Sequence, residues 1–370
     1  MADALVIVAA PVAGLRLAVC AVPLLSREAA LRHGLAPGSA AVLAQALAGS
    51  LLLAATDPHA NREGARVDVQ LECGGPLRGL LVDADASGAV RGLVRVGALD
   101  RDGSRLEPAP PQSLPQSQSL PQSQALPQSL PQSQAQAGLE PEALLPRLEG
   151  SRLSRFAAEP LLAGAPDAVA GILSILRAAE APAGENPQLH RALVPFAGGD
   201  LGAGLTAFLR NDREGAGELS LEVLYRREVA LAAVAGALIW PDSGGGGSDS
   251  SESAPMPKSM LEEQGARLRS GLLRDALLRS EQTAPGNAHA LARELSALLG
   301  LGPLRVLSEV RPRFACRCSR ERVVRALSTL GTAELRDMAE RDGGADASCD
   351  FCAQSYRISK AELLELAGVA

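Results

Sequence analysis

Two short cysteine clusters near the C-terminal end constrain the fold of this chain more than any other feature. They read Cys316-Arg317-Cys318 and, thirty residues further on, Cys349-Asp350-Phe351-Cys352. A C-x-C knuckle and a C-x-x-C knuckle so spaced suit a closed tetrahedral site of four thiolates, with no position left for substrate. A fold that uses them together must bring distant segments to one point. The same residues can also leave as two local disulfides, because each knuckle holds its own potential partner. A permanent structural zinc ribbon and a redox switch are both compatible with the spacing.

The segment around them is small. About sixty residues with few large apolar groups bury too little surface to be secure alone. Structural zinc is worth roughly 10–16 kcal/mol in comparable domains, so metal loss is expected to unfold this one. Seven arginines lie between residues 305 and 325, against Glu309 and Glu321. Positive charge favours thiolate over thiol and offsets the double negative charge of a zinc tetrathiolate. A solvated face is the plainer reading of those arginines, and a nucleic-acid patch a third.

At 370 residues the chain has room for two or three domains. From Val6 to about Asp100, apolar runs rich in Val and Leu alternate with Gly, Pro and Asp turns, which suggests strands. Between them Pro37 to Ala55 reads as a helix, with Val42, Leu43, Ala46, Leu47 and Leu51 at helical spacing. Almost uncharged and apolar all round, it should be buried. Residues 109–138 repeat Leu-Pro-Gln-Ser from 114, 120, 126 and 130. Prolines and scarce apolar surface predict a disordered insert, with a polyproline ligand as the alternative. Val229 to Trp240 reads as a buried strand, too short to span a bilayer. Residues 243–259 read as a flexible tether around Gly244 to Gly247. Met260 to Arg279 is amphipathic, with Leu261, Leu268, Leu272 and Leu273 in one stripe, and Leu291 to Leu299 continues in the same manner.

The net charge of −6 argues against a nucleic-acid binder. Met1-Ala2-Asp3-Ala4 lacks the cationic start of an export signal, and Pro11 and Arg16 interrupt the apolar run behind it. A cytoplasmic, reducing compartment is expected, where clustered cysteines rest as thiolates on metal.

The residues flanking the knuckles carry a resemblance. Phe314-Ala315-Cys316-Arg317-Cys318-Ser319-Arg320-Glu321-Arg322, then Leu330-Gly331, then Cys349-Asp350-Phe351-Cys352 with Tyr356 closely resemble the C-terminal domain of the redox-regulated heat-shock holdases, the thirty-three kilodalton chaperonins. Further segments resemble the N-terminal part of that family: Glu28-Ala29-Ala30-Leu31-Arg32-His33, Val67-Asp68-Val69-Gln70 running to Gly75-Pro76-Leu77, and Gly88-Ala89-Val90-Arg91-Gly92. Together they span about two thirds of the chain. Phe208-Leu209-Arg210-Asn211-Asp212-Arg213 departs from the family pattern, and the segments 109–138 and 243–259 are insertions relative to it.

The resemblance implies an α+β fold: an N-terminal core of sheets around a buried helix over 1–242, a tether and helical linker over 243–310, and a zinc-binding domain over 311–370. It implies an ATP-independent chaperone, not an enzyme, inactive while Cys316, Cys318, Cys349 and Cys352 hold one zinc. Oxidation to Cys316–Cys318 and Cys349–Cys352 disulfides would release zinc and unfold the linker. The freed stripe of Leu268, Leu272 and Leu273 would then bind unfolded client proteins, with homodimerisation on activation. Neither nucleic acid nor membrane is an expected partner.

Other candidates are weaker. Cys20 and Cys73 stand alone on apolar strands and read as core residues. His33, His59, His190 and His289 lack metal-ligand spacing, and no hydrolase, zinc-protease or dinucleotide motif is present. A zinc-ribbon nucleic-acid module is the first rival, disfavoured by 2% aromatics. The second is a thiol–disulfide oxidoreductase using Cys349 and Cys352. It needs a C-x-x-C at a helix start, whereas Ala353 to Ile358 reads as a strand.

Overall fold

Nearly continuous apolar runs at the start of the chain form an antiparallel pair, β1 (Ala4–Ala10) and β2 (Leu15–Ala21). Two helices follow, α1 (Pro23–Arg32) and α2 (Pro37–Ala55), each opening on a proline. There the missing N–H costs nothing and the fixed φ suits the first turn. This computed structural model describes residues 3–57, 64–106, 153–164, 171–179, 188–196, 198–211, 217–226, 231–242 and 257–368. The repeat at 109–138 and most of the expected tether, 243–256, lie outside the described residues.

β3 (Arg66–Glu72), β4 (Gly79–Asp85) and β5 (Ala89–Val94) run as a meander. After β6 (Ser154–Arg155) and α3 (Glu159–Leu162), the hairpin β7 (Gly171–Ala179) and β8 (Gln188–Phe196) pairs through β7 onto β3. α4 (Leu201–Asn211) leads to β9 (Glu218–Tyr225) and β10 (Ala233–Pro241). Next come α5 (Lys258–Arg267), a π-helical turn over Leu268–Leu272, α6 (Leu273–Thr283) and α7 (Ala288–Leu299). α5 thus begins inside the stretch read as tether, immediately after Pro257. The chain continues through β11 (Arg305–Val310), β12 (Arg313–Phe314), α8 (Arg320–Leu327), α9 (Thr332–Arg341), β13 (Gly344–Ser348), β14 (Ser355–Ser359) and α10 (Lys360–Leu366).

Two six-stranded sheets result, ordered β11-β1-β2-β10-β9-β6 and β12-β5-β4-β3-β7-β8, plus the small β13-β14 hairpin. α2 lies between the large sheets. Leu43, Leu47, Leu51 and Leu52 join Leu5 and Cys20 from the first sheet and Val67, Val69 and Leu71 from the second in one apolar cluster. By length and composition α2 could cross a membrane, yet it is 94% buried inside this core. The fold is α+β, as expected.

The other face of the first sheet is covered as well. Val8, Leu17, Val19, Ala237 and Ile239 pack against Leu261, Leu268, Leu273, Leu277, Leu291 and Leu295 of the linker helices. Along β9 that face turns polar. Arg269 and Arg210 both pair with the buried Glu218, the Ser220 hydroxyl donates to the Leu268 carbonyl at 3.5 Å, and Arg155 pairs with Glu222 at 3.1 Å. A Cβ at Gly265 would sit 2.2 Å from a Glu218 carboxylate oxygen, so α5 needs a glycine to approach β9 so closely.

Candidate metal centre

Each knuckle is set by a local turn anchored in a strand. β12 pairs in parallel with β5, Arg313 opposite Ala89 and Phe314 opposite Val90, which delivers Cys316 to the β4–β5 hairpin. Here too a glycine is required: Gly88 has φ +84°, and a Cβ there would meet Val310 Cγ1 at 2.7 Å. Ser319 then caps α8, its hydroxyl accepting the Arg322 N–H at 3.3 Å, and turns the chain away directly after Cys318. The second knuckle is the turn between β13 and β14. The Ala353 N–H donates to the Cys349 carbonyl at 2.8 Å, and the Cys349 N–H to the Gln354 carbonyl at 2.9 Å. Behind the knuckles lies a cluster of six buried residues, Leu335, Ala339, Ala345, Ile358, Leu363 and Ala367. So small a core leaves the module dependent on whatever joins its knuckles.

The four Sγ atoms all lie within 4.8 Å of one another, with Cys316 to Cys349 at 3.6 Å and Cys318 to Cys352 at 3.4 Å. Zinc–sulfur bonds of about 2.3 Å place tetrahedral sulfurs about 3.8 Å apart, so the donor set fits zinc. Burial alone raises the Cys316 thiol. Hydrogen bonds from the Cys318 backbone and the Arg91 guanidinium outweigh it and bring the group down to about 7. Burial pushes Cys349 and Cys352 up. A bound cation would favour the thiolate at Cys349 and Cys352 against that burial. The Tyr356 hydroxyl donates to Cys318 Sγ at 3.0 Å, and that bond raises the tyrosine above its ordinary value.

A family model described as Hsp33 protein matches residues 3–359. The chain belongs to the Hsp33 family. The 33 kDa chaperonin of Rippkaea orientalis is 28% identical over 371 residues, covering 99% of this chain and 96% of the relative. That of Thermus thermophilus is 29% identical over 349 residues, covering 92% and 79%. The crystal structure of the Thermotoga maritima 33 kDa chaperonin shares the fold, with a TM-score of 0.58 at 17% identity over 96% of this chain and 94% of that one. The family read from the knuckle residues is thereby established.

The remaining residues singled out in this Hsp33-family chain fall elsewhere. Leu268 and Leu273 are buried where the linker packs on the first sheet and Leu272 is half-buried, in a cluster separate from that of the metal module. Cys20 is fully buried, its thiol pushed up to about 12 by that burial, and donates to the Ala48 carbonyl. Cys73 is half-buried, with its thiol likewise raised. His289 faces Glu309 at 3.0 Å, His190 is exposed on β8, and His59 lies outside the described residues.

His33 is a half-buried, hydrogen-bonded histidine. Its Nε2–H donates to the Phe351 carbonyl inside the second knuckle at 3.0 Å. Arg32 stacks over Phe314, Arg317 pairs with Asp85 at 3.6 Å, and Arg91 touches both knuckles. Two of the family-like N-terminal segments, Glu28–His33 and Gly88–Gly92, thus reach the metal module. Their motif matches were the available signal, but a match does not disclose a contact across 318 positions.

Proposed function

We propose that this protein is a redox-regulated, ATP-independent holdase of the cytoplasm, acting by binding rather than by turnover. The supporting observation is the convergence of Cys316, Cys318, Cys349 and Cys352 in a module whose own core is too small to stand alone. Bound zinc would supply the positive charge that keeps all four sulfurs as thiolates and the two knuckles together. Each knuckle can give up two electrons to an oxidant. With hydrogen peroxide, two thiolates become one S–S bond and the peroxide becomes two hydroxide ions.

Pairing within each knuckle, Cys316–Cys318 and Cys349–Cys352, needs the least chain closure once the knuckles part. The neutral sulfurs then no longer bind a cation, and the module loses its main cross-link. Leu268, Leu272 and Leu273 are covered in the folded form, so unfolding the linker would present them to unfolded clients and to a second copy of the chain. The C-x-x-C closes a turn between two strands rather than opening a helix, which disfavours the oxidoreductase reading.

The decisive experiment measures zinc content together with light scattering of a thermally unfolding client, before and after oxidation. One zinc per reduced chain, no protection when reduced and strong protection when oxidised are expected. Peptide mapping should find the two within-knuckle disulfides. Equal protection in both redox states overturns the switch.

A further inference from the structure

Arg91 stands at the joint between the core and the metal module, where three groups share its guanidinium. Nη2 and Nε donate to Asp83 Oδ2 at 2.8 and 3.1 Å, Nη1 points to Cys316 Sγ at 3.8 Å, and the plane lies 4.3 Å from the centroid of the Phe351 ring. Asp83 and Arg91 are direct cross-strand partners on β4 and β5, facing away from the core. Their side chains are only 7% and 18% exposed, so the pair is little screened by solvent. Cys316 belongs to one knuckle and Phe351 to the other. Asp83 fixes the guanidinium from the core side and leaves its remaining edge and its face to the module.

The other contacts across this joint are of different kinds. The backbone N–H groups of Arg313 and Ala315 bond to the Gly88 and Val90 carbonyls at 2.8 and 2.9 Å, His33 reaches the Phe351 carbonyl, and Arg317 pairs with Asp85. None of these reports the charge of the metal centre. Beside them a cleft of about 530 Å³, lined by Asp68, Arg91, Arg317, Arg322 and Phe351, keeps the sheet and the module apart. The grip therefore combines one short stretch of main-chain pairing with a few side-chain contacts.

We propose that Arg91 is a positioning residue that fastens the metal module to the core, and does so only while Cys316 carries negative charge. A thiolate attracts the guanidinium and a disulfide sulfur does not. Phe351 stays over the guanidinium only while its knuckle is held beside Cys316. Converting Cys316 to a disulfide leaves Arg91 to Asp83 alone, and the joint loses the part of its grip that depends on that charge. The inference uses the redox reading above for that change of charge. The grip itself can be tested in reduced protein.

The test compares full-length wild type with Arg91→Met and Arg91→Lys, all reduced and zinc-loaded. Backbone hydrogen exchange is followed at Arg313 and Ala315, with the β7–β8 amides as the folding control. In Arg91→Met, exchange at Arg313 and Ala315 should rise at least about fivefold while the control amides stay at wild-type rates. Arg91→Lys keeps the charge without the fork or the stacking plane and should fall between the two. Zinc release under a fixed concentration of hydrogen peroxide, read with a colorimetric chelator, should quicken in the same order. If Arg91→Met fails to fold, the same ranking is sought between Arg91→Lys and Phe351→Leu, each of which removes part of the contact. Wild-type exchange and release in folded variants would overturn the proposal, even where wild type loses zinc on oxidation. Wild type that keeps zinc under oxidant would instead defeat the redox reading, while the exchange data still judge the grip.

Discussion

Glu222 is the least comfortable charge beneath the linker. Burial, countered by Arg155 and the more distant Arg274, raises its carboxyl from an ordinary 4.5 to about 7. A folded-state value above the unfolded one means the folded form binds the extra proton. Its contribution to stability is complete below about 4.5 and is lost as pH rises through about 7. Glu222→Gln should therefore flatten the fall in stability across that range. Relative to wild type it should gain roughly 1–2 kcal/mol near pH 8, read from denaturant melts at several pH values. An undiminished slope in the variant would place the titration elsewhere, with Asp3, raised by burial to about 6, the next group to test. Sequence patterning concealed this site. Glu218-Leu219-Ser220-Leu221-Glu222 alternates like a strand with one wet face, yet helices cover that face and turn its acids into buried partners of Arg269 and Arg155.

Among the elements, those with strong apolar periodicity were legible and those defined by their neighbours were not. α2 spans Pro37–Ala55 as its spacing predicts, and β10 (Ala233–Pro241) overlaps the apolar run read over Val229 to Trp240 and ends one residue beyond it. β11 and β12 went unseen because Arg305 to Phe314 is largely exposed and rich in arginine; what makes them strands is pairing with β1 and β5. The cysteine site was legible because four ligands fix their own geometry. Arg91 was not, since its partner Cys316 lies 225 positions away. At this scale the linker stripe yields a prediction. Replacing Leu268, Leu272 and Leu273 with serine removes buried apolar surface at two of the three positions, each worth about 2–5 kcal/mol in a core. The linker should loosen and the reduced, zinc-loaded protein should protect a heated client. A variant silent when reduced and normal when oxidised would make the linker a passive tether.

Across the whole molecule, the segment from 107 to 152 joins two flanks that are each anchored independently. Before it, the Leu106 N–H bonds to the Ala98 carbonyl at 2.8 Å and Leu99 bridges to Arg105. After it, β6 pairs with β9. Deleting residues 109–138 leaves sixteen residues, each able to extend about 3.3 Å, to join the flanks. The deletion should leave zinc content and oxidant-dependent protection within about twofold of wild type, since long surface connections change stability only slowly with length. Metal analysis with client light scattering checks both, and a marked loss in either would give the Leu-Pro-Gln-Ser repeat a role in the switch.

Residues 305–314 close both large sheets, β11 lying along β1 and β12 along β5. A state in which this short stretch pulls free uncovers backbone as well as leucines. β1 would become a raw edge and the start of β5 would lose its partner, leaving N–H and C=O groups ready to template another extended chain. Such edges accept almost any sequence, because main-chain groups are common to all of them. A protein that must hold many unrelated unfolded chains would gain its breadth of recognition from the loss of ten residues of its own.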